Sequence, residues 1–293
     1  MKAPKSGWVV LFRGGALGDF ILALPLLKAF RRSGFKTCVV SRRTYTALLP
    51  DWLCDEYIDQ DAPEVMRLYA ASGGTEPGGG GTRLQRVLPG AIVGCFGIPD
   101  CTVDANLRAF GVQEVHWLAP HPTKPPHAIH QFAAGLGLSP GEIRLDEPVW
   151  TPPMPGQSLW IHPGSGSVRK NCPVDLFARL AQAWQRYHQA PVFLSFGEAD
   201  RELLASCRGE FARYGIGFRT LDQPSLATLR DALVRYAIYY VGNDSGVSHL
   251  AGALGIPCTV FFRSTDPHIW RPVGQCRTVR YPEAESASPK QLR

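Results

Sequence analysis

Short apolar runs alternate with longer, mixed segments along the whole chain. This alternation is typical of βα units, in which helices cover a sheet of parallel strands. Eight such runs predict strands, four in each half of the sequence: Trp8–Phe12, Thr37–Val40, Ala91–Val93, Val115–Leu118, Leu159–His162, Val192–Phe196, Ile238–Val241 and Cys258–Phe262. The pattern therefore predicts an α/β protein built from two similar halves.

A proline-rich segment separates the two halves. Residues 147–156 contain four prolines and end in a glycine, a composition that excludes a helix and is typical of a linker. The length of 293 residues also suits two domains. We therefore predict a boundary near residue 152, with domains at 1–152 and 153–293. The glycine-rich segment 72–82 is either a mobile lid over a substrate or a surface loop.

The first predicted strand runs into a turn that contains Gly14, Gly15 and Gly18 and leads to Asp19. The glycine spacing differs from the dinucleotide fingerprint, and Ser41–Arg43 stands where an acidic residue would bind a ribose. These features argue against a nicotinamide-dependent oxidoreductase. Asp19 has two interpretations: an N-cap of the following helix, or a general base that the small residues leave facing a ligand.

The corresponding turn in the second half contains more ligand-binding groups: Gly164, Ser165, Gly166, Ser167 and Lys170. The glycines let an anion approach the backbone, the serines supply hydroxyl donors, and the lysine supplies a charge for a phosphate. Together they predict a site that neutralises a departing diphosphate. The alternative is a surface loop with a solvated lysine. His162, at the end of the preceding strand, is assigned a structural role.

Two further strand ends carry polar groups. Glu198 follows a strand and a glycine, where a carboxylate either holds a ribose or stabilises a helix N-terminus. Residues 241–257 form a strand, a tight turn and a helix, and the turn predicts a site for an anionic or polyhydroxylated ligand such as a nucleotide-sugar. The residues concerned are Asn243, Asp244, Ser245, Gly246 and, within the helix, His249. Asp244 caps the helix or holds sugar hydroxyls, and His249 contacts the ligand or the backbone.

Composition narrows the class of protein. No apolar run is long enough to span a bilayer and the first residues lack a signal peptide, so a cytoplasmic location is expected. Eight cysteines without a CxxC pair predict reduced thiols. The net charge of +6 suits a phosphorylated substrate or an anionic membrane face. Because no basic stripe is interleaved with aromatic residues, nucleic acid is not an expected partner.

Four short motifs follow one another along the chain: Leu17-Gly18-Asp19 with Pro25, His162 to Pro173, Gly242 to Pro257, and Phe262 to Pro267. In this order they resemble the motifs of glycosyltransferase family 9, the ADP-heptose:lipopolysaccharide heptosyltransferases. The third block matches the family pattern almost residue for residue. Against that pattern, Cys172 replaces an aromatic residue, Ser245 a threonine and Arg263 a glycine.

The resemblance implies an α/β protein of the GT-B fold, with two Rossmann-like domains whose parallel sheets face a central cleft. It implies a nucleotide-sugar donor, ADP-heptose, on the second domain. The first domain would take a glycan or glycolipid acceptor such as the lipopolysaccharide core, in contact with the inner-membrane surface. Transfer would invert the anomeric configuration and use no metal and no other cofactor, although Asp59-Gln60-Asp61 has the D-x-D form of metal-dependent transferases.

The resemblance also implies individual roles. Asp19 would deprotonate the acceptor hydroxyl, with Gly14, Gly15 and Gly18 on the acceptor side. Lys170 and the glycine-serine turn would stabilise the departing diphosphate. Glu198 would bind the ribose, and the turn at 243–246 the sugar or phosphates. Two alternatives keep this architecture: a non-catalytic nucleotide-sugar-binding protein, and an epimerase or hydrolase that acts on the nucleotide-sugar.

Overall fold

The computed structural model describes residues 7–71, 81–152, 154 and 156–281. The chain forms two compact units, Met1–Ile143 and Arg144–Arg293. The division precedes residue 152, near which we predicted the boundary, because the start of the proline-rich segment packs on the second unit. There the backbone N–H groups of Val149 and Trp150 both donate to Ala253 O, at 2.9 and 3.0 Å. The glycine-rich segment 72–82 lies mostly outside the described residues.

The first unit is a five-stranded parallel sheet in the order β3-β2-β1-β4-β5. Its strands are β1 (Trp8–Phe12), β2 (Lys36–Ser41), β3 (Glu56–Asp59), β4 (Ile92–Phe96) and β5 (Glu114–Leu118). Its helices are α1 (Leu17–Arg32), α2 (Pro63–Met66), α3 (Arg83–Val87), α4 (Cys101–Ala109) and α5 (Ala128–Gly135), with 3-10 turns at Arg43–Leu48, Arg67–Tyr69 and Pro140–Glu142. Helix α1 continues through Pro25.

The second unit is a six-stranded parallel sheet in the order β11-β10-β9-β6-β7-β8. Its strands are β6 (Ser158–His162), β7 (Val192–Phe196), β8 (Arg219–Asp222), β9 (Ala237–Asn243), β10 (Cys258–Phe262) and β11 (Cys276–Arg280). Its helices are α6 (Val174–His188), α7 (Arg201–Arg213), α8 (Leu226–Tyr236), α9 (Gly246–Ala253) and α10 (Pro267–Trp270), with 3-10 turns at Val168–Lys170 and Glu198–Asp200.

Both units confirm the predicted α/β class with Rossmann-like parallel sheets. In each sheet the chain order reverses beside the first strand, between β1 and β4 in one unit and between β6 and β9 in the other. Ligands of such sheets bind beyond the carboxyl ends of the strands at this reversal point. In the part of the chain that the structure describes, no helix is both long and apolar enough to cross a bilayer.

The central strands are buried on both faces, as parallel strands between helix layers require. All five residues of β6 are buried, and Phe177 of α6 packs edge-on against Phe261 of β10. Strands β3, β8 and β11 were not predicted, and all three lie at sheet edges. Nearly all of their residues are half-exposed or exposed and several are charged, so these strands lack the continuous apolar run that marks a central strand.

Candidate functional site

The reversal point of the second sheet brings together the two polar turns that the sequence singled out. Strands β6 and β9 pair directly, with His162 opposite Gly242. The glycine-serine turn after β6 and the turn at 243–246 after β9 therefore leave the sheet side by side. This position is the one where open parallel sheets bind their ligands.

A buried carboxylate links these turns. Asp244 Oδ2 accepts hydrogen bonds from Lys170 Nζ at 2.7 Å and from Thr265 Oγ1 at 2.6 Å, and His249 Nε2 lies 3.9 Å from Oδ1. The Asp244 side chain is 5% exposed, whereas that of Lys170 is 32% exposed. The pair thus presents a partly solvated ammonium group above a buried acid. Thr265 was not among the predicted site residues, although it lies in the last of the four motifs.

Asn243 connects the two turns through hydrogen bonds of its side chain. Its side chain is fully buried, donates from Nδ2 to Pro163 O at 2.6 Å, and accepts from Cys172 N at 3.0 Å. Its role in this structure is to hold the loops in register.

Ser245 is the N-cap of α9, and its Oγ accepts from Ser248 N at 3.3 Å. Pro173 is the N-cap of α6 and so lies just before the first turn of that helix.

The glycine-serine turn is held against a second buried acid that the sequence reasoning missed. A Cβ added at Gly164 would overlap the carboxylate of Asp200, so this position has no room for a side chain. Asp200 Oδ2 accepts from Gly197 N at 3.0 Å and lies 3.6 Å from His162 Nε2. The signal available in the sequence was the acid three residues after Gly197, but its burial depends on a turn that sequence does not reveal.

His162 belongs to this buried network, in line with the structural role assigned to it. Its Nδ1 lies 2.9 Å from Ser195 O and 3.1 Å from Ser195 Oγ, which also accepts from Trp160 Nε1 at 2.9 Å. Burial lowers the pKa of His162, and this effect exceeds the opposing influence of the Asp200 carboxylate and the Ser195 carbonyl. The neutral imidazole is therefore favoured beneath the turn.

The remaining residues predicted for the donor site lie in the turns after β6 and β7 and at the start of α9. Glu198 is exposed in the 3-10 turn that follows β7. Ser165 Oγ lies 2.7 Å from Ser167 O and 2.5 Å from Asn171 Oδ1, so its hydroxyl shapes the turn. Gly166 adopts a φ of 69°, in the left-handed region that favours glycine. Gly246 starts α9 and is half-buried.

Asp19 lies in the first unit as the third residue of α1, whose N-cap is Ala16. It is therefore not the N-cap, although its Oδ2 accepts from Ala16 N at 3.1 Å. Arg13 Nη2 donates to Oδ1 at 3.2 Å, and His121 Nδ1 lies 3.9 Å from the same oxygen. Arg13 is itself buried between this carboxylate and the ring of Phe96, whose centroid is 4.4 Å from the guanidinium carbon.

The three glycines near Asp19 differ in their surroundings. Gly15 has a φ of 92°, and a Cβ there would lie 2.9 Å from Asp19 Oδ2. A Cβ at Gly14 would lie 3.1 Å from Gln60 Oε1, and Gly18 is the second residue of α1. Gly14 and Gly15 thus allow the chain to pass close to neighbouring side chains.

The D-x-D segment is divided by the fold, with Asp59 ending β3 and Gln60 following it. Among the described residues, no group of three or more His, Cys, Asp or Glu side chains is arranged to hold a metal ion. The cysteines of the described part are all unpaired thiols. Burial raises the pKa of Cys95 and of Cys207 to about 12.

The chain is similar to several glycosyltransferases of known structure. No curated protein matches the chain. A glycosyltransferase of family 9 from Veillonella parvula is similar over 98% of this chain and 89% of its own, at 17% identity and a TM-score of 0.70. The E. coli heptosyltransferase WaaC with ADP is similar over 97% of both chains, at 18% identity and a TM-score of 0.64. E. coli ADP-heptose lps heptosyltransferase II gives 16% identity and a TM-score of 0.65, over 97% of this chain and 96% of its own.

At these identities the structural likenesses show the fold, the two-unit GT-B fold of glycosyltransferases. The family model of glycosyltransferase family 9 (heptosyltransferase) matches residues 138–292, just over half of the chain and nearly all of the second unit. This range contains the glycine-serine turn, the Lys170–Asp244 pair and Thr265. The chain therefore belongs to glycosyltransferase family 9, the heptosyltransferase family, and is a glycosyltransferase.

Proposed function

We propose that the protein transfers heptose from ADP-heptose to a hydroxyl of a lipopolysaccharide-core or related glycan, with inversion at the anomeric carbon and without a metal or other cofactor. The observation that carries the proposal is the Lys170–Asp244 pair, which lies between two turns at the reversal point of the second sheet. This unit is the one that the family model covers.

The leaving group of this reaction is a nucleoside diphosphate, whose charge grows as the glycosidic bond breaks. Lys170 supplies a partly exposed ammonium group. The glycine-serine turn beside it supplies backbone N–H groups and the hydroxyl of Ser167, while the Ser165 hydroxyl holds the turn together. The N-terminus of α9 adds the positive end of a helix dipole. These groups together perform the electrostatic role that a bound metal ion performs in other transferases.

Two carboxylates recognise different parts of the nucleotide-sugar. The charge of Asp244 is balanced by Lys170, and Thr265 donates a hydrogen bond to the same oxygen, so the carboxylate can accept sugar hydroxyls without repelling the nearby phosphates. Glu198 is exposed at the carboxyl end of β7, where a carboxylate suits the two hydroxyls of a ribose. Ser245 and Gly246 begin α9 and offer their backbone to a phosphate or sugar oxygen.

The acceptor is activated by Asp19. Its carboxylate is fixed by Ala16 N on one oxygen and Arg13 on the other, so its orientation is set before substrate binds. An inverting transfer needs one such base, because the acceptor oxygen attacks as the diphosphate leaves. The glycan acceptor belongs to a lipid-linked surface polymer, and the net charge of +6 would favour contact with the anionic inner-membrane face from the cytoplasm.

The test measures ADP release and product formation from ADP-heptose with core-oligosaccharide acceptors, and the anomeric configuration of the product by NMR. Asp19→Asn should lower turnover by about 10²–10⁴ with little change in ADP affinity, because a general base acts in the chemical step. Asp104→Asn is the matched control: it removes an acid from the first turn of α4, where Asp104 pairs only with the exposed Arg108.

Other outcomes would identify the alternatives. Release of free heptose without an acceptor would indicate a hydrolase, and tight ADP-heptose binding without turnover on any glycan would indicate a binding protein. Retention of the donor's anomeric configuration, or full activity of Asp19→Asn, would contradict the proposed mechanism.

A further inference from the structure

The first unit contains a cavity of about 500 Å³ at the reversal point of its sheet. Residues at the carboxyl ends of the strands line it: Phe12, Val40, Phe96 and Trp117 are the last or next-to-last residues of β1, β2, β4 and β5, and Gln60 directly follows β3. The cavity therefore occupies the position where open parallel sheets bind ligands. Its size is that of a small-molecule site.

The cavity is adjacent to the proposed base. Arg13 and Gly14 line it, and Arg13 donates both to the carboxylate and to the main-chain carbonyl of Asp19. A ligand that fills the cavity therefore lies next to the turn that holds Asp19. This relation connects the cavity with the acceptor side of the reaction.

Much of the wall is apolar or aromatic and accessible to solvent. Tyr69 is 59% exposed, Met66 56% and Ile98 87%, and Phe12 and Trp117 are half-buried. Exposed apolar groups gathered around one concavity are typical of a binding site rather than of ordinary protein surface.

The polar groups of the wall are mainly hydrogen-bond acceptors. Asp61 and Asp100 contribute carboxylates and Gln60 contributes an amide. Among the residues that line the cavity, all of them described, Arg13 is the single cation. Its side chain is only 3% exposed and is engaged by Asp19 and Phe96, so it offers little charge to a ligand. The ligand thus meets two carboxylates, of which Asp100 also caps α4, and no accessible cation among the lining residues.

We infer that this cavity binds an uncharged pyranose residue of the acceptor glycan and disfavours carboxylated or phosphorylated sugars. The inference rests on the proposed function and defines its acceptor. A pyranose has an apolar face of C–H groups that packs on aromatic rings, and a rim of hydroxyls that donate to carboxylate and amide oxygens. An anionic sugar would instead bring a charge towards Asp61 and Asp100, and such repulsion is an effective means of rejecting the wrong ligand.

The experiment uses the full chain and pairs of ligands that differ in one group. Methyl glycopyranosides of glucose, galactose and mannose are compared with the corresponding methyl uronosides by ligand-observed NMR titration. At least one neutral glycoside should bind, with its uronoside about tenfold weaker or more, a ratio expected for one unfavourable charge contact. Binding of no neutral glycoside, or equal or tighter binding of the uronosides, would overturn the inference.

Substitutions in the cavity wall test whether the glycoside binds there. Tyr69→Ala should weaken neutral glycoside binding about three- to tenfold, the usual worth of one aromatic contact, and Tyr69→Phe should retain it. Trp52→Ala is the matched control, because Trp52 is an exposed aromatic of the same unit that does not line the cavity. If Tyr69→Ala and Trp52→Ala both bind the neutral glycoside with unchanged affinity, the cavity is excluded as its binding site.

Removal of the negative charge tests the selectivity itself. In the double variant Asp61→Asn/Asp100→Asn the uronoside should bind nearly as well as its neutral partner. Asp100 is the N-cap of α4 and accepts from the backbone of Thr102 and Val103. Asparagine caps helices as well as aspartate does, so the fold is kept. A ratio that stays at tenfold would show that the carboxylates do not set the preference.

The inference and the proposed function fail separately. If no glycan accepts heptose but the neutral glycosides bind in a Tyr69-dependent way, the proposed function is wrong and the cavity is still a sugar site. If heptose is transferred efficiently to anionic acceptors while the neutral glycosides do not bind, the proposed function stands and the inference is wrong.

Discussion

Lys170 and Asp244 should be coupled in stability as well as in ligand binding. Lys170→Ala leaves a carboxylate that is 5% exposed with only Thr265 as a close donor. Loss of one partner of a fully buried ion pair costs about 3–5 kcal/mol. Because the Lys170 side chain is 32% exposed, water can replace part of its contact, and we expect about 1–3 kcal/mol here.

The assay is a double-mutant cycle on the free energy of unfolding, measured by urea denaturation and followed by tryptophan fluorescence. Asp244→Asn removes the charge and keeps an oxygen that can accept from Thr265. The double variant Lys170→Ala/Asp244→Asn should therefore be less destabilised than the sum of the single variants, by about 1–2 kcal/mol. Both variants that lack Lys170 should bind ADP more weakly in calorimetry, since the phosphate charge is no longer met.

The matched control is Arg179→Ala, which removes an exposed ion pair with Asp175 in the same unit. It should cost less than about 1 kcal/mol and leave ADP binding unchanged. Additive single variants would refute the idea that Lys170 neutralises Asp244. If Lys170→Ala binds ADP with normal affinity, the phosphates do not bind at this turn.

Two further predictions concern the buried network under the glycine-serine turn. Gly164→Ala should lower the free energy of unfolding by about 1–3 kcal/mol, because its Cβ would overlap the Asp200 carboxylate. Part of this loss should be recovered in the double variant Gly164→Ala/Asp200→Ala. The control is Gly209→Ala, which lies in open space on α7 and should not destabilise the protein. A Gly164→Ala variant as stable as the wild type would contradict the packing. The pKa of His162 is lowered in the folded state, so its contribution to stability is present above the unfolded pKa of about 6.5 and is lost as the pH falls below it. Thermal unfolding of His162→Gln should therefore depend less on pH between about 7.5 and 5 than that of the wild type, and parallel curves would contradict this assignment.

Most of the strands that could be predicted from sequence are those whose burial leaves an apolar run; the exception is β5, a half-buried edge strand that was predicted from Val115, Trp117 and Leu118. Strand β6 is wholly buried and β10 likewise, and both were found within a residue of their ends. Edge strands such as β8, with Arg219 and Asp222, carry charged side chains at the sheet border and have no such signature. Pairing with a neighbour, which sequence does not display, decides that they are strands.

The same distinction applies to the site. Lys170 and Asp244 were predicted because each lies in a turn whose residue types are unusual for a purely structural loop. Their direct contact joins residues 74 positions apart in sequence, and it follows from the pairing of β6 with β9. Arg13 and Asp200 were missed because a charged residue in a glycine-containing turn carries no mark of burial in the sequence. Only the folded turn shows that each holds a neighbouring group in place.

The two reversal points share one arrangement of glycine and carboxylate, from which we expect different ligands at each. In each unit a glycine of the turn after the first strand lies against a carboxylate, Gly15 against Asp19 and Gly164 against Asp200. Asp19 belongs to the first turn of α1 and accepts from Ala16 N, so a resident negative charge already compensates that helix dipole. In the second unit α9 begins at Gly246 after the neutral N-cap Ser245, and its first turn, which is fully described, contains no acid. The acid directly before the cap, Asp244, is paired with Lys170. A phosphate is therefore expected to prefer the second reversal point, and the ligand at the first is expected to be neutral.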